Sequence, residues 1–495
     1  MKFKNIYIGL GLASVLTLSA CKKVIEIEPE FQRERTQLFN NLTDYEYSLT
    51  GTYALLRQVG YFGSGAQTTS TWAMLPDMMA DNLVQTGEDL ANWQQQTNWQ
   101  YVTTEEDITV AWLAAFSVIR QANITLNNID QFAGKEQTRV NRIKGQALAI
   151  RAIAHFDVLR YWGESYDRNS TALGVPYVTT EDIDVKPSRL TVKASYDSIF
   201  RDMLAAEVML GSIDKSINTS IDRTSIDRTA VRALLARMYL YAKEYARAEE
   251  YATLGITAIP LASRTAFPSI WKDDTQAEVF WAVSFNAGEG SPSSGVHNAP
   301  SNRNRFRPAS PLTNLYDQAN DVRFSSYFGS RLSNSGNTTG LPRPILPFAS
   351  STRKIDIKFL GRGSFIDNVV NWKVIRTGEL YLIRAEARAM QAGKEALGLA
   401  DLNTLRAARV TGAVPLVLTG QALIDEIQVE RRRELYGEGH RWFDLRRMNA
   451  SITRTDRSLS STRLSLPSTA REWIWPIPQG EIDANPNMEQ NTVWK

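Results

Sequence analysis

A mainly α-helical scaffold of degenerate helix pairs, carrying a loop-rich irregular face, is the fold class this sequence predicts. Three observations point there. Apolar residues recur at the 3.6-residue helical period over long stretches. Small residues, above all Ala, sit where such helices would cross. Segments crowded with Gly, Ser, Pro and Asn separate the periodic stretches.

Taken in chain order, the first twenty residues stand apart. Lys2 and Lys4 precede an apolar run from Ile6 to Leu18, then Leu18-Ser19-Ala20-Cys21. The run is too short to span a membrane and suits a signal-peptide core. With small residues ahead of Cys21, the only cysteine, residues 1–20 resemble a bacterial lipoprotein signal peptide. Lipidation of Cys21 and a tether over residues 21–36 are expected. Acyl chains anchor at roughly 0.8 kcal/mol per buried methylene. Residues 37–495 then form a single domain. A helix is expected from about Arg142 to Tyr161, closing at Gly163. In Thr229–Tyr251, Val231, Leu234, Leu235, Met238, Tyr239 and Ala242 mark one helix face. A break at Lys243-Glu244 starts its partner. A similar pair begins at Leu380 and breaks at Gly393. These pairs look tetratricopeptide-like, with Ala allowing close crossing. Thr419 is a plausible N-cap for a helix bearing Leu423, Ile424 and Ile427 up to Tyr436, with Gly437 as its stop. Long loops are expected at about 286–311 and 331–347.

Composition narrows the function. At 495 residues, 43% hydrophobic and 12 Trp, the chain buries a large core. With 22% charged residues and one Cys, disordered and disulfide-scaffold classes are excluded. A net charge of +3 offers no electrostatic case for nucleic acid. The three histidines, His155, His297 and His440, are far apart, and no HExxH or CxxC motif occurs, so no metal site is expected. Neither a P-loop nor a G-x-S-x-G elbow is present, and no cofactor or catalytic residue is expected.

The C-terminal region is the most specific. Glu430-Arg431-Arg432-Arg433-Glu434-Leu435-Tyr436-Gly437-Glu438-Gly439-His440-Arg441-Trp442-Phe443-Asp444-Leu445-Arg446-Arg447 is followed by Trp475-Pro476-Ile477-Pro478, Asn485-Pro486-Asn487 and Gln490-Asn491. Glu and Arg interleaved with Trp442 and Phe443 would be costly if buried unpaired, so Arg–carboxylate pairs are expected. Together with the leader, Asp81-Asn82, Gly145–Gly163 with Arg151, Phe156 and Arg160, Ala233-Leu234-Leu235-Ala236, Tyr381–Ala387, Asn403 and Arg406, this pattern resembles the SusD/RagB family of Bacteroidetes outer-membrane nutrient-binding lipoproteins. The resemblance runs nearly end to end. It implies a surface-exposed lipoprotein of the outer membrane that does no bond-breaking chemistry. Such a protein binds an oligomeric nutrient, a glycan or a peptide, and delivers it to a SusC-like TonB-dependent barrel.

Sugars present flat C–H faces and many hydroxyls, so a glycan site wants aromatic platforms flanked by amides, carboxylates or Arg. Two stretches qualify: Trp93, Asn98 and Trp99 with Trp72 and Asp81 nearby, and Phe285, Asn286, Arg303, Arg305, Phe306 and Tyr316. For Trp72, Trp93 and Trp99 a place in the core is the competing reading. A lipid-anchored glycoside hydrolase is the alternative function, since such enzymes need only two carboxylates about 5–10 Å apart. A structural repeat scaffold is a further one.

Overall fold

The computed structural model describes residues 39–65, 70–89, 93–211, 223–335, 338 and 343–495. The leader, Cys21 and the tether lie outside the described residues. The chain divides at Tyr47 into a short N-terminal unit and a body, Ser48–Lys495. The first long helix, α1 (Leu42–Leu55), crosses that division, and all later elements belong to the body.

Eight further long helices occur among the described residues: α2 (Glu106–Leu126), α3 (Gln137–Trp162), α4 (Val192–Met209), α5 (Arg228–Tyr241), α6 (Tyr245–Ala258), α7 (Thr377–Ala389), α8 (Glu395–Arg409) and α9 (Gly420–Glu434). Consecutive members pack on one another from α2 to α8, and α9 packs on α7. The predicted pairs are therefore present as α5–α6 and α7–α8, in the nearest-neighbour arrangement of helical repeats. Their breaks fall where expected, with Lys243 and Gly393 at positive φ. Helix α3 covers its predicted span and ends with the Gly163 N–H donating to Leu159 O at 3.0 Å. Every residue from Gly145 to Trp162 is buried, so α3 is apolar or paired on all sides and central. Its Arg151 ties three helices together, donating to Asp202 of α4 at 2.7 Å and Asn123 of α2 at 2.8 Å.

Residues 259–376 are inserted between α6 and α7, yet those two helices pack directly. Gly255 allows it: a Cβ there would collide with Leu380. Gly398 does the same for α7 and α8, where a Cβ would lie 2.7 Å from Ala385 O. The insertion carries most of the irregular structure. Five two-stranded antiparallel sheets occur among the described residues. The longest pairs β2 (Val279–Val283) with β8 (Trp372–Arg376) and feeds directly into α7. Strand β1 (Leu83–Gln85) pairs with β5 (Phe306–Pro308), β3 (His297–Asn298) with β4 (Arg303–Asn304), and β6 (Phe328–Ser330) with β7 (Lys354–Asp356). The last, β9 (Ile452–Thr453) with β10 (Ser465–Leu466), comes after the C-terminal motif.

One capping expectation fails. Thr419 precedes α9 in extended backbone, but its side chain makes no cap hydrogen bond. The stop at Gly437 holds, with φ 67° and the Gly437 N–H donated to Asp77 at 3.2 Å. The C-terminal tail closes back on α3. The Trp475 N–H donates to Tyr161 O at 2.9 Å, its ring stacks on Tyr161 at 3.9 Å, and Trp162 Nε1 donates to Pro476 O at 2.8 Å.

Candidate functional site

The long C-terminal motif is a buried ionic lattice. Glu434 accepts from three guanidinium groups: Arg323 at 2.9 Å, Arg409 at 3.0 Å, and Arg376. Arg376 also reaches Glu438 at 2.8 Å, and Glu438 takes the Lys358 ammonium at 2.6 Å. Arg431 and Arg447 converge on Asp444, and Arg447 also grips Glu386. Burial raises the Glu434 carboxyl, but the charges of Arg409, Arg376 and Arg323 outweigh it and hold the group well below the usual range. Glu434 and Glu438 are thus ionised and fully engaged, which suits a structural role and leaves neither free to move a proton.

The same lattice claims Asp81. Its carboxylate takes Arg441 at 2.7 and 3.0 Å, and Arg432 donates to Asn82 at 2.7 Å. Burial pushes Asp81 up, but Arg441 and Arg432 pull it below the ordinary carboxylate range. The Asp81-Asn82 pair and the C-terminal motif are therefore one clamp, and Asp81 has no carboxylate oxygen left for a ligand.

The aromatic residues expected as open platforms are mostly interior. Trp72 packs on Tyr61, Tyr161 and Trp162 and donates to Asp157 O at 3.1 Å. Trp99 donates to Met79 O at 2.9 Å and lies under the Arg454 guanidinium, 4.2 Å from the ring centre. Asn98 accepts the Arg463 N–H at 3.0 Å and is buried. Phe285 and Phe306 are fully buried, as is nearly all of Tyr316. Irregular backbone has no period to tell an inward ring from an outward one, and the fold covers these rings because each adds a large apolar area to the core. Asn286 and Arg303 are exposed.

The structure brings part of the predicted set together. Trp93, at φ 56°, is buried at 3% exposure and so is no open platform; it stacks on Phe306 with ring centres 5.9 Å apart, and the Arg305 guanidinium lies 5.3 Å from the Trp93 ring centre. Local pairing explains the juxtaposition. Strand β5 runs antiparallel to β1, the Thr86 N–H donates to Arg305 O at 2.8 Å, and Asn304 Nδ2 donates to Lys354 O at 2.8 Å. The chain bends at Arg305 between β4 and β5; Asn304, Phe306 and Pro308 are buried, Arg305 and Arg307 are half-buried, and Arg303 is exposed. Trp72 and Phe285 are not part of this cluster.

Asp89 belongs to this region and escapes sequence reasoning. It is buried at 1% exposure and hydrogen-bonded to Gln85, with Oδ1 lacking a hydrogen-bond partner among the described residues. Burial raises its pKa to about 7, against the Gln85 hydrogen bond and the charge of Arg305. Arg353, which holds Glu88 at 2.7 and 3.0 Å, is equally unannounced. For the Arg303–Pro308 run the available signal is the two-residue period of Arg-Asn-Arg-Phe-Arg-Pro. Elsewhere, a groove of about 320 Å³ runs between α2 and the C-terminal tail, lined by Trp112, Leu113, Phe116, Ile183 and Met488.

This is a helical-repeat protein with an irregular segment inserted between two of its helices. Comparison with known proteins makes the class specific. The SusD family model matches residues 363–494, and a model described as starch-binding associating with outer membrane matches residues 42–240. A SusD-like protein of Formosa agariphila is 23% identical over the full length of both chains. A SusD superfamily structure from Bacteroides thetaiotaomicron has a TM-score of 0.78 at 27% identity, covering 91% of this chain and 99% of that one. A SusD-like carbohydrate-binding protein from Bacteroides vulgatus has the same fold, with a TM-score of 0.74 at 22% identity over 91% and 98% of the two chains. The chain belongs to the SusD/RagB family. No helix among the described residues is long and apolar enough to cross a membrane.

Proposed function

We propose that this protein captures an oligomeric nutrient, a glycan, at the outer membrane without cleaving it, and delivers it to a SusC-like TonB-dependent barrel. The match of residues 42–240 to a starch-binding, outer-membrane-associating family carries the reading. The ligand face lies on the β4–β5 run and the loop holding Trp93, with Arg303 and Arg305 outermost and Trp93 and Phe306 behind them. Engagement of the motif carboxylates by arginine supports a non-catalytic role. Diacylation at Cys21 supplies the membrane anchor, the tether positions the body outside the cell, and the barrel is the receiving partner.

Calorimetry of the purified chain against an oligosaccharide panel, with product analysis after prolonged incubation, tests capture against cleavage. Saturable binding with intact sugar is expected. Released shorter sugars would establish the hydrolase reading instead. Cys21→Ser is expected to leave the protein unprocessed or free of the membrane. Co-purification of a TonB-dependent barrel with the wild-type chain tests delivery.

A further inference from the structure

We infer that Phe365 is the ring on which the captured glycan stacks, and that this glycan is a neutral one whose hydroxyls are bound by Asp274 and Asp367. The inference rests on the glycan-capture reading and adds the contacting side chains and the substrate class. A site for flat sugar C–H faces needs a ring open to solvent, and the rings predicted for that task are buried. Among the described residues of the body, Phe365 is the one aromatic side chain left exposed, at 72%. A single exposed apolar residue means little by itself. What sets Phe365 apart is how it is held and what surrounds it.

Phe365 sits on the connection from β7 to β8, which is fastened at several points. The Asn368 N–H donates to Leu360 O at 2.6 Å and closes the loop, and the Phe365 N–H donates to Arg362 O at 2.9 Å. Gly361 has a positive φ of 153°, and a Cβ there would collide with Phe365 O, so glycine lets the turn close beneath the ring. The Arg362 guanidinium pins the loop to Asp273 at 3.0 Å, Asn371 at 2.7 Å and Phe285 O at 2.7 Å, beside the exposed Asn286. Asn368 ties it to the β3 hairpin, donating to His297 O at 3.0 Å and accepting the Ala299 N–H at 2.7 Å. The ring is therefore presented on the same inserted segment as β3 and β4, by a backbone ordered in advance, which lowers the cost of binding.

The polar groups around it suit hydroxyls. Asp274 is exposed, with Oδ1 3.8 Å from where a Cβ on Gly363 would sit, and its carboxylate has no partner among the described residues. Asp367 is exposed and accepts the Val369 N–H through Oδ1 at 2.9 Å, which leaves Oδ2 open. Of the nearby cations, Arg362 and Lys373 share Asp273. Exposed Lys272, whose carbonyl takes the Gly363 N–H at 3.0 Å, has no carboxylate partner among the described residues. Two open carboxylates thus stand against one open cation. Carboxylates accept strong hydrogen bonds from hydroxyls and repel uronates and sulfate esters.

The test uses the full chain and calorimetry with named polymers. Amylose, laminarin and galactomannan are the neutral arm; polygalacturonate and chondroitin sulfate are the acidic one. Binding is expected for at least one neutral polymer, with little dependence on salt. Phe365→Ala should weaken it about tenfold, the scale of one aromatic contact, with the urea midpoint unchanged, and Phe365→Tyr should retain it. Asp274→Ala should also cost about tenfold, the scale of one hydrogen bond to a charged group. An acidic polymer bound as tightly as the neutral ones would overturn the neutral class. Unchanged affinity in Phe365→Ala would overturn the stacking role, and loss of the co-purifying barrel alone in that variant would make the ring a partner contact instead; capture stands in each case. If no polymer binds, the capture reading falls and the inference with it.

Discussion

Two charged regions of this molecule have opposite designs. Around Glu434, buried carboxylates and cations share partners: Arg376 reaches both Glu434 and Glu438, and Arg409 reaches both Glu434 and Glu278. Arg303, by contrast, is exposed and makes no ion pair among the described residues. The first arrangement holds α9 against α7, α8 and the inserted segment; the second leaves unmet charge at the surface. Charge that is closed on itself builds the fold, and charge left open is available to a ligand.

The sharpest way to break this comparison is Glu434→Gln. It keeps the shape but removes the anion shared by Arg323, Arg376 and Arg409. Removing one partner from a buried ionic group costs about 3–5 kcal/mol. A loss of less than about 1 kcal/mol in urea unfolding would show that the lattice is not what joins these elements. A packing counterpart ranks next. Gly255→Val would drive a side chain into Leu380 at the α6–α7 crossing and should cost about 1–3 kcal/mol by overpacking. Unchanged stability in that variant would mean that α6 and α7 do not approach as closely as described.

These two sites also show how much is legible in the sequence. The helix pairs are readable because apolar spacing at Val231, Leu234, Leu235 and Met238 reports one face directly, and because Gly393 and Lys243-Glu244 break the pattern at the turns. The pairing of Glu and Arg in the long motif follows from the cost of burying either alone. Which partners they take is not readable: Arg323, Arg376 and Arg409 lie in three separate segments that meet only in the fold. Trp72, Trp93, Trp99, Phe285 and Phe306 fail as surface platforms for the same reason. They sit in irregular backbone where no period reports direction, and only tertiary packing buries them. The Arg303–Pro308 alternation is visible but short, and Asp89 carries no local signal at all.

A face-side ion pair sharpens the contrast at smaller scale. Arg307 and Asp456 are bidentate but partly exposed, at 22% and 17% of their side chains. Exposed pairs contribute only about 0–1 kcal/mol, so Asp456→Ala should cost about 1 kcal/mol or less, far below Glu434→Gln. The Arg307 hydrogen bond lowers the Asp456 pKa to about 2. Its contribution is therefore present above the ordinary carboxylate range and lost as pH falls toward 2. A cost near that of Glu434→Gln would erase the distinction between closed and open charge.

The smallest expected effect concerns Asp89, whose sign is opposite. Its pKa in the folded chain is raised to about 7 from 3.8, so between those values the folded state holds a proton that the unfolded state has released. Asp89 accordingly favours the folded state at low pH, and that contribution is lost as pH rises through about 7. Asp77 and Asp356, each raised by burial to about 6, add slopes of the same sign elsewhere in the body. Asp89→Asn keeps the shape and the Gln85 neighbour but cannot ionise. Urea unfolding from about pH 4 to about pH 8 should show a shallower decline for the variant than for the wild type, with the difference accumulating between about pH 4 and about pH 7. Coincident slopes would mean that Asp89 is already ionised in the folded chain, its charge balanced by Arg305 and Arg303.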